Sequence, residues 1–345
     1  MKKLISVFVL GLVSFGFADN SAVPCKNITF KPLQSLMRYG DTTRRGQDRP
    51  FAKDPTVIRH QGRYLMYYSV WSYDKEHLPA NLSPKALIHW AGAIAESKDL
   101  VNWKRVCDIE LNDTNIVSGG VAPCVKKFDG KIHMFSQGRK AGNGKQENVI
   151  WHATSEDGIH FVTDRASPAF VPNNAWSLYR AIDAEVYRVG DRMILMYATR
   201  ERPTGKIQQL GMAWAPYGSS YSAGDWKEMS IEKPFFKPDL PWELSCIEAP
   251  TVIYRKGIWY MFYAGAYNHE RQQIGVAWSK DGVSYTRWRD TPVLPHGAEG
   301  SWNAWESGHP GIFQDEDGKV YLFYQGKATL KGDYQLSCLE VCFED

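Results

Sequence analysis

The chain has 345 residues, a formal net charge of +3 and 23% charged residues. This balance argues against a nucleic-acid-binding protein, because such proteins concentrate lysine and arginine in a basic patch and this sequence has no such cluster. Beyond the first 18 residues, no apolar run approaches the ~20 residues that a membrane-spanning helix needs. The composition instead favours a globular protein rich in aromatic residues, with 13 Trp, 18 Tyr and 15 Phe.

Residues 1–18 have the pattern of a secretory signal peptide. Two lysines follow the initiating methionine, residues 4–17 are apolar, and residues 16–18 read Gly-Phe-Ala, a small-x-small cleavage pattern. We therefore expect a mature chain of residues 19–345 that is secreted or periplasmic and has no membrane contact after the leader is removed.

Five segments repeat one pattern: a short alternating apolar run, a turn, and a second alternating run rich in aromatic residues. This pattern is typical of a β-hairpin. The segments begin at Asp54, Ala122, Asp183, Glu248 and His309. Their turn glycines are Gly62, Gly130, Gly190, Gly257 and Gly318. The period is roughly sixty residues, which is longer than the ~40–50 of common propeller blades.

A second strand pair with a Ser/Asp/Gly turn follows the hairpins, and helical periodicity is almost absent. Four antiparallel strands repeated five times predict an all-β, five-bladed β-propeller that forms a single domain around a central channel. A β-sandwich is the alternative, but sandwiches do not repeat one hairpin at constant spacing. Because the fifth unit ends soon after its third strand, we expect residues 27–32 to supply its outer strand.

Six cysteines become plausible disulfide partners if the protein is exported. A bridge from Cys25, which precedes the first blade, to Cys338 or Cys342 in the last strand would close the ring covalently. Buried free thiols are the alternative that the sequence leaves open.

Three of the five repeats begin with a carboxylate, namely Asp54, Asp183 and Glu248. If the hairpins surround an axis, these groups converge at one end of it and repel one another, so at least one should have a raised pKa. A general acid beside a general base is the pair that hydrolysis of a glycosidic bond requires. The two carboxyls are ~6.5–9.5 Å apart when water attacks directly and ~5–5.5 Å apart when a carboxylate attacks.

The segments AKDPTVI, AIDAEVY and IEAPTVIY, in this blade order, resemble glycoside hydrolase family 43 and its clan relatives over residues 50–330. The resemblance implies an inverting mechanism with Asp54 as general base, Glu248 as general acid and Asp183 as the group that orients the acid and tunes its pKa. It also implies that His309, on the axis, holds a water or a water-coordinated cation such as calcium. No other cofactor is expected.

Departures from the family pattern keep other propeller enzymes in view. The second motif has Ala184 and Glu185 where a proline usually follows the aspartate. The retaining β-fructosidase motifs WMNDPNG, RDP and EC fit poorly, and Ile247 stands where neoagarobiose hydrolases have a histidine. A glycoside phosphorylase would need a basic phosphate cradle, for which the candidates are Arg139, Arg180 and Arg200.

The loops after the inner hairpins return to the carboxylate end of the axis. The longest, residues 72–86, would wall off one side of the site and so favours an exo-acting pocket. Candidates for substrate contact at the same rim are Trp71, Gln137, Arg139, Arg200, Glu306, His309 and Gln325. Packing or hydrogen bonding between blades is the alternative role for each.

The sequence therefore predicts an exported glycoside hydrolase whose partner is an oligo- or polysaccharide, with arabinofuranosyl or xylosyl residues as the expected target. A sugar-binding propeller without catalysis is the alternative from another class of protein. Three mutually repelling carboxylates argue against it, because a lectin has no use for them.

Overall fold

The computed structural model describes residues 22–43, 50–73, 88–111, 116–140, 148–163 and 167–345. These residues form five four-stranded antiparallel sheets and one 3-10 turn, Pro241–Glu243. The five sheets are the blades of a β-propeller, which confirms the predicted fold. In these ranges no helix has the length and apolar character needed to cross a membrane. The predicted signal peptide lies outside the described residues.

Each blade runs from an inner strand at the axis to an outer strand at the rim. Blade 1 comprises β2 (Lys53–His60), β3 (Arg63–Tyr73), β4 (Ile88–Ser97) and β5 (Lys104–Asp108). Blade 2 comprises β6 (Ile116–Phe128), β7 (Lys131–Lys140), β8 (Asn148–Ser155) and β9 (Val162–Thr163). Blade 3 comprises β10 (Ile182–Val189), β11 (Arg192–Arg200), β12 (Gln208–Pro216) and β13 (Lys227–Glu228).

Blade 4 comprises β14 (Ile247–Arg255), β15 (Ile258–Gly265), β16 (Gln273–Ser279) and β17 (Thr286–Arg287). Blade 5 comprises β18 (Glu306–Gln314), β19 (Val320–Lys327), β20 (Gln335–Glu344) and β1 (Asn27–Pro32). The N-terminal strand β1 thus completes the last blade, with Asn27 opposite Glu344 and Pro32 opposite Leu339. This closure confirms the role predicted for residues 27–32.

The predicted disulfide closure is not seen, since all six cysteines are free. The β1–β20 register places Thr29, and not a cysteine, opposite Cys342. Cys25 packs in the apolar core between blades 4 and 5, where its backbone N–H donates to the Tyr260 hydroxyl at 2.8 Å. The ring is closed by backbone pairing and core packing instead of a covalent bond.

The turns of the inner hairpins explain the five repeated glycines. Each has a positive φ, from 60° at Gly190 to 84° at Gly318, which is a conformation that favours glycine. In blades 1, 2 and 4 the preceding turn residue is also left-handed, as at Gln61 (φ 50°), so these are the hairpin turns that match the strand twist. The large aromatic residues of the second strands pack between blades, and Tyr67, Tyr197 and Phe262 are fully buried.

Every inner strand contains the same two-residue bulge. The register shifts across it in all five blades. The first bulge residue is left-handed in each case: Asp54 (φ 55°), Ala122 (42°), Asp183 (51°), Ala249 (51°) and His309 (47°). The five bulges surround a cavity of about 30 Å³ on the axis. This volume admits water but not a sugar ring, so a substrate would lie above the mouth of the channel.

Candidate active site

The bulges of blades 1, 3 and 5 bring Asp54, Asp183 and His309 into contact. His309 Nε2 lies 3.2 Å from Asp54 Oδ1 and 3.5 Å from Asp183 Oδ1. All three side chains are buried. The left-handed backbone at each strand start aims these side chains at the axis, and Asp and His tolerate this conformation better than most residues. Two of the three predicted carboxylates are therefore bridged by the predicted axial histidine.

Glu248 reaches the site from a different backbone position. In blade 4 the left-handed bulge residue is Ala249, and Glu248 is the residue before it, paired with Ala264. It therefore occupies the strand position that Lys53 has in blade 1, where Lys53 pairs with Ser69. The charges of Asp183, His309 and Lys53 nevertheless act on its carboxylate, so it belongs to the same cluster.

Two glutamine side chains hold the Glu248 carboxylate. Gln208 Nε2 donates to Glu248 Oε2, and Gln272 Nε2 donates to Glu248 Oε1 at 2.6 Å. Burial and the negative charge of Asp183 raise the pKa of Glu248, against the lowering effects of His309, Lys53 and Gln272. The raised pKa keeps a proton on this group at higher pH than on an ordinary glutamate, as a general acid requires.

Asp54 has the opposite electrostatic character. Burial raises the pKa of its carboxyl, but the positive charges of His309 and Lys53 and a hydrogen bond from Ser69 lower it below the ordinary value. Asp54 is therefore ionised and able to accept a proton. The site contains one carboxyl biased towards donating a proton and one biased towards accepting it.

His309 is the cation between the two aspartates. Burial lowers the pKa of His309, but the negative charges of Asp54 and Asp183 act in the opposite direction, and the resulting pKa is about 9. The water-coordinated cation expected at His309 stays a prediction. The imidazole Nε2 faces two carboxylates, so these contacts do not make it a direct ligand of Ca²⁺, which prefers oxygen ligands. Among the described residues no group of three or more His, Cys, Asp or Glu could hold a metal ion.

Lys53 is a buried ammonium beside Asp54 that the sequence analysis missed. Its Nζ lies 3.8 Å from Asp54 Oδ1, 4.7 Å from the Tyr334 ring centroid and 5.4 Å from that of Trp90. Burial lowers the pKa of Lys53, but Asp54, Glu306 and two further carboxylates raise it above the ordinary value. The sequence signal that could have identified Lys53 is its position directly before Asp54 in the AKDPTVI segment.

Gln137 and Gln325 fix the backbone of the two aspartates. Gln325 Oε1 accepts the Asp54 N–H at 3.1 Å, and Gln137 Oε1 accepts the Asp183 N–H at 3.2 Å. Gln325 Nε2 in turn donates to Glu306 Oε1 at 2.6 Å, and both Gln325 and Glu306 are fully buried. These contacts favour a positioning role for the three residues, while the substrate contact predicted for them stays a prediction.

The remaining rim candidates lie around these groups. Trp71 is partly buried in an aromatic cluster, with its ring centroid 5.1 Å from that of Trp90. Arg139 is exposed near the end of β7, and Arg200 ends β11 opposite Gln208. Glu185, the extra acid after the second motif, lies deeper in the channel and accepts hydrogen bonds from Lys126 Nζ and the Val252 N–H. Glu185 therefore bonds to these groups and not to the other carboxylates of the site.

Gln208 and Gln272 were also missed, although a repeat pointed to them. The segments IQQLG and RQQIG stand at the start of the third strand in blades 3 and 4, and the first glutamine of each pair binds Glu248. A glutamine at the equivalent position of two adjacent blades indicates that both side chains bind one group at the boundary between the blades. Only the position of Glu248 at that boundary identifies the partner.

Comparisons with known proteins identify the family and the fold. A family model for glycosyl hydrolases family 43 matches residues 49–338. A search of curated proteins finds no match to the chain. Among solved structures, a thermostable family-43 glycoside hydrolase has 19% identity and a TM-score of 0.64, with 85% of this chain and 90% of that chain covered.

Two further structures share the fold. The α-L-arabinofuranosidase from Lactobacillus brevis has 16% identity and a TM-score of 0.56, with 83% of this chain and 90% of that chain covered. A structure from the GH130 family of mannoside phosphorylases, which contains glycoside hydrolases that target β-1,2 mannosidic linkages, has 14% identity and a TM-score of 0.63, covering 92% and 95%. The family match over most of the sequence decides the assignment: the chain belongs to glycosyl hydrolase family 43 and is a five-bladed propeller hydrolase of O-glycosidic bonds.

Proposed function

We propose that the protein is an exported, inverting glycoside hydrolase that releases arabinofuranosyl or xylosyl residues from the ends of oligo- or polysaccharides. The observation that carries the proposal is the cluster of buried carboxyls in which His309 contacts Asp54 and Asp183 and two glutamines hold Glu248. The surrounding charges lower the pKa of Asp54, while burial and the charge of Asp183 raise the pKa of Glu248. Hydrolysis of a glycosidic bond needs such a pair, because one group must accept a proton while the other donates one.

In the proposed reaction Asp54 removes a proton from a water molecule, and the water oxygen forms a bond to the anomeric carbon. The bond from that carbon to the leaving oxygen breaks, and Glu248 transfers its proton to the leaving oxygen. Asp54 ends protonated and Glu248 ends ionised, and proton exchange with solvent restores both. Attack from the face opposite the leaving group inverts the anomeric configuration.

Asp183 and His309 support these two roles in the proposal. The negative charge of Asp183 contributes to the raised pKa of Glu248, and the positive charge of His309 contributes to the lowered pKa of Asp54. His309 contacts both aspartates and so offsets their mutual repulsion. The proposed mechanism requires no cofactor, and EDTA should leave the activity unchanged.

The choice of sugar is supported by the shared fold and by aromatic side chains near the site. The fold is shared with an arabinofuranosidase, and Trp71 and Trp90, which pack on the buried Phe51 beside Lys53, offer partly exposed aromatic surface for a sugar ring. Most of the loop predicted to wall off the pocket lies outside the described residues, and β3 already extends through Tyr73. Exo action and export, which depends on residues 1–18, remain part of the proposal.

Proton NMR of the first turnovers on 4-nitrophenyl α-L-arabinofuranoside and β-D-xyloside tests this function. We expect the inverted anomer as the first product and no activity in Asp54→Ala. A retained anomer would make Asp54 a nucleophile. A sugar 1-phosphate formed only when phosphate is added would identify a phosphorylase, and no turnover on either glycoside would contradict the proposed sugar specificity.

A further inference from the structure

Arg180 and Arg200 place two guanidinium groups on the Glu248 side of the site. Arg180 Nη1 donates to Gln208 Oε1 at 3.3 Å, and the same Gln208 side chain donates to Glu248. Arg200 stands directly opposite Gln208 in the β11–β12 ladder, so the two side chains lie on the same face of the sheet. Both arginines are partly buried.

Neither guanidinium lies in salt-bridge contact with a carboxylate of the described residues. Two other partly buried arginines do have such a partner, since Arg105 lies 2.8 Å from Asp41 and Arg287 lies 2.7 Å from Glu243. Within the described ranges, no salt bridge is formed by Arg180 or Arg200, and Arg200 Nε is buried without a hydrogen-bond partner. The guanidinium carbon of Arg200 lies 5.7 Å from the Tyr267 ring centroid.

The two positive charges also act on each other. Burial and the charge of Arg200 lower the pKa of Arg180, against the raising effects of Asp183 and Glu248. Two adjacent, partly desolvated cations with no carboxylate in salt-bridge contact among the described residues are costly, and a bound anion would reduce that cost. Guanidinium groups match the geometry of a carboxylate, which can accept two parallel N–H bonds.

We propose that Arg180 and Arg200 bind the carboxylate of an acidic sugar, so that the substrate is an arabinofuranosyl or xylosyl residue linked to a uronic acid. This inference rests on the proposed function, because it assigns the sugar next to the cleaved bond.

The position of the arginine pair within the site distinguishes two candidate anions, a uronic acid in the leaving group and an attacking phosphate. Gln208 connects Arg180 to Glu248, the proposed acid, whereas Lys53 is the cation beside Asp54, the proposed base. The leaving sugar lies on the acid side, and an attacking phosphate would enter on the base side. The arginine pair therefore favours a uronic acid in the leaving group over phosphate as the attacking group.

The test compares arabinofuranosyl and xylosyl oligosaccharides that end in a uronic acid with the same compounds after methyl esterification. We expect the wild type to prefer the acid by on the order of tenfold in kcat/KM. Arg200→Met should reduce that preference to about one, and Arg200→Lys should retain part of it. Arg192→Met is the matched control, since Arg192 lies at the other end of β11 over Trp214 and should leave the preference unchanged.

A second readout separates failure of the inference from failure of the proposed function. Calorimetric titration measures binding of glucuronate, galacturonate and inorganic phosphate to the wild type and to Arg200→Met. Uronate binding that is lost in Arg200→Met supports the inference even if no tested glycoside is hydrolysed. Equal hydrolysis of acid and ester, or absence of uronate binding, overturns the inference while leaving the hydrolase assignment intact. Binding of phosphate alone would also overturn it.

Discussion

At the scale of single residues, the same left-handed backbone position carries chemically different side chains in different blades. The left-handed bulge position holds Asp54, Asp183 and His309 in three blades, and Ala122 and Ala249 in the other two. The polar side chains form the ionic cluster, and the alanines leave room beside it. The side chain at this position, and not the backbone, decides what each blade contributes to the site.

The opposite pKa shifts of Asp54 and Glu248 predict a bell-shaped pH dependence of kcat/KM. Asp54 must be ionised, and its lowered pKa places the acidic limb below the ordinary range of an aspartate. Glu248 must be protonated, and its raised pKa moves the basic limb above the ordinary range of a glutamate, so activity falls as pH rises through it. Initial rates on a natural disaccharide, whose leaving oxygen needs a proton, measure both limbs across pH. A basic limb that persists in Glu248→Gln would contradict the assignment.

Replacing the proposed acid should separate substrates by leaving group. Glu248→Gln should lower kcat by about 10²–10⁴-fold on a natural disaccharide, whose leaving oxygen needs a proton. Much of the activity should remain on a dinitrophenyl glycoside, whose leaving group departs without one. Asp54→Asn is the comparison, because loss of the base should impair both substrates alike. Steady-state rates on the two substrates provide the measurement, and an equal loss in Glu248→Gln would argue against its role as acid.

At the scale of elements, neighbouring blades are tied together at their bulges. The second strand of one blade supplies an acceptor for the N–H of the next bulge: Ser69 for Ala122, Gln137 for Asp183 and Gln325 for Asp54. Since blades 5 and 1 are joined in this way, the last blade positions the proposed base of the first. Asp54 is therefore placed correctly only when blade 5 packs against blade 1 and closes the ring.

Gln325→Ala should lower both stability and kcat. The variant leaves the buried Asp54 N–H without an acceptor, at a cost of about 1–3 kcal/mol, and frees the backbone that orients the carboxylate. Thermal unfolding and kcat are measured together. Asp281→Ala is the control: Asp281 accepts the N–H groups of Val283 and Ser284 in an outer turn, so its loss should lower stability alone. A Gln325→Ala variant with reduced stability but unchanged kcat would contradict the positioning role.

At the scale of the whole molecule, the ring is closed non-covalently by β1. Ile28 is buried in the core shared by blades 4 and 5, while Thr29 faces the opposite side of the strand and reaches Glu344 at the surface. The first described strand, β1, and the last strand, β20, are therefore part of one sheet. Stability should depend on how well the apolar face of this short strand packs.

Ile28→Ala should destabilise the protein by about 2–4 kcal/mol, because it removes a buried side chain at the closure point. Thr29→Ala, the neighbouring change on the exposed face, should cost less than about 1 kcal/mol. Chemical denaturation of both variants measures the difference. Equal effects would show that β1 is not held by its core-facing side.

The sequence alone determined the propeller, the role of residues 27–32 in blade 5 and the three strand-start carboxylates. These features are encoded locally: alternation, turn glycines and spacing report the backbone period without any knowledge of distant contacts. The tertiary structure decided the neighbours of those carboxylates. Contacts between strands of different blades decide the roles of Lys53, Gln208 and the arginine pair. Sequence spacing does not report such contacts, since charge interactions and hydrogen bonds depend on distance in space. The absence of a bridge to Cys342 has the same cause, because the β1–β20 register places Thr29 opposite it.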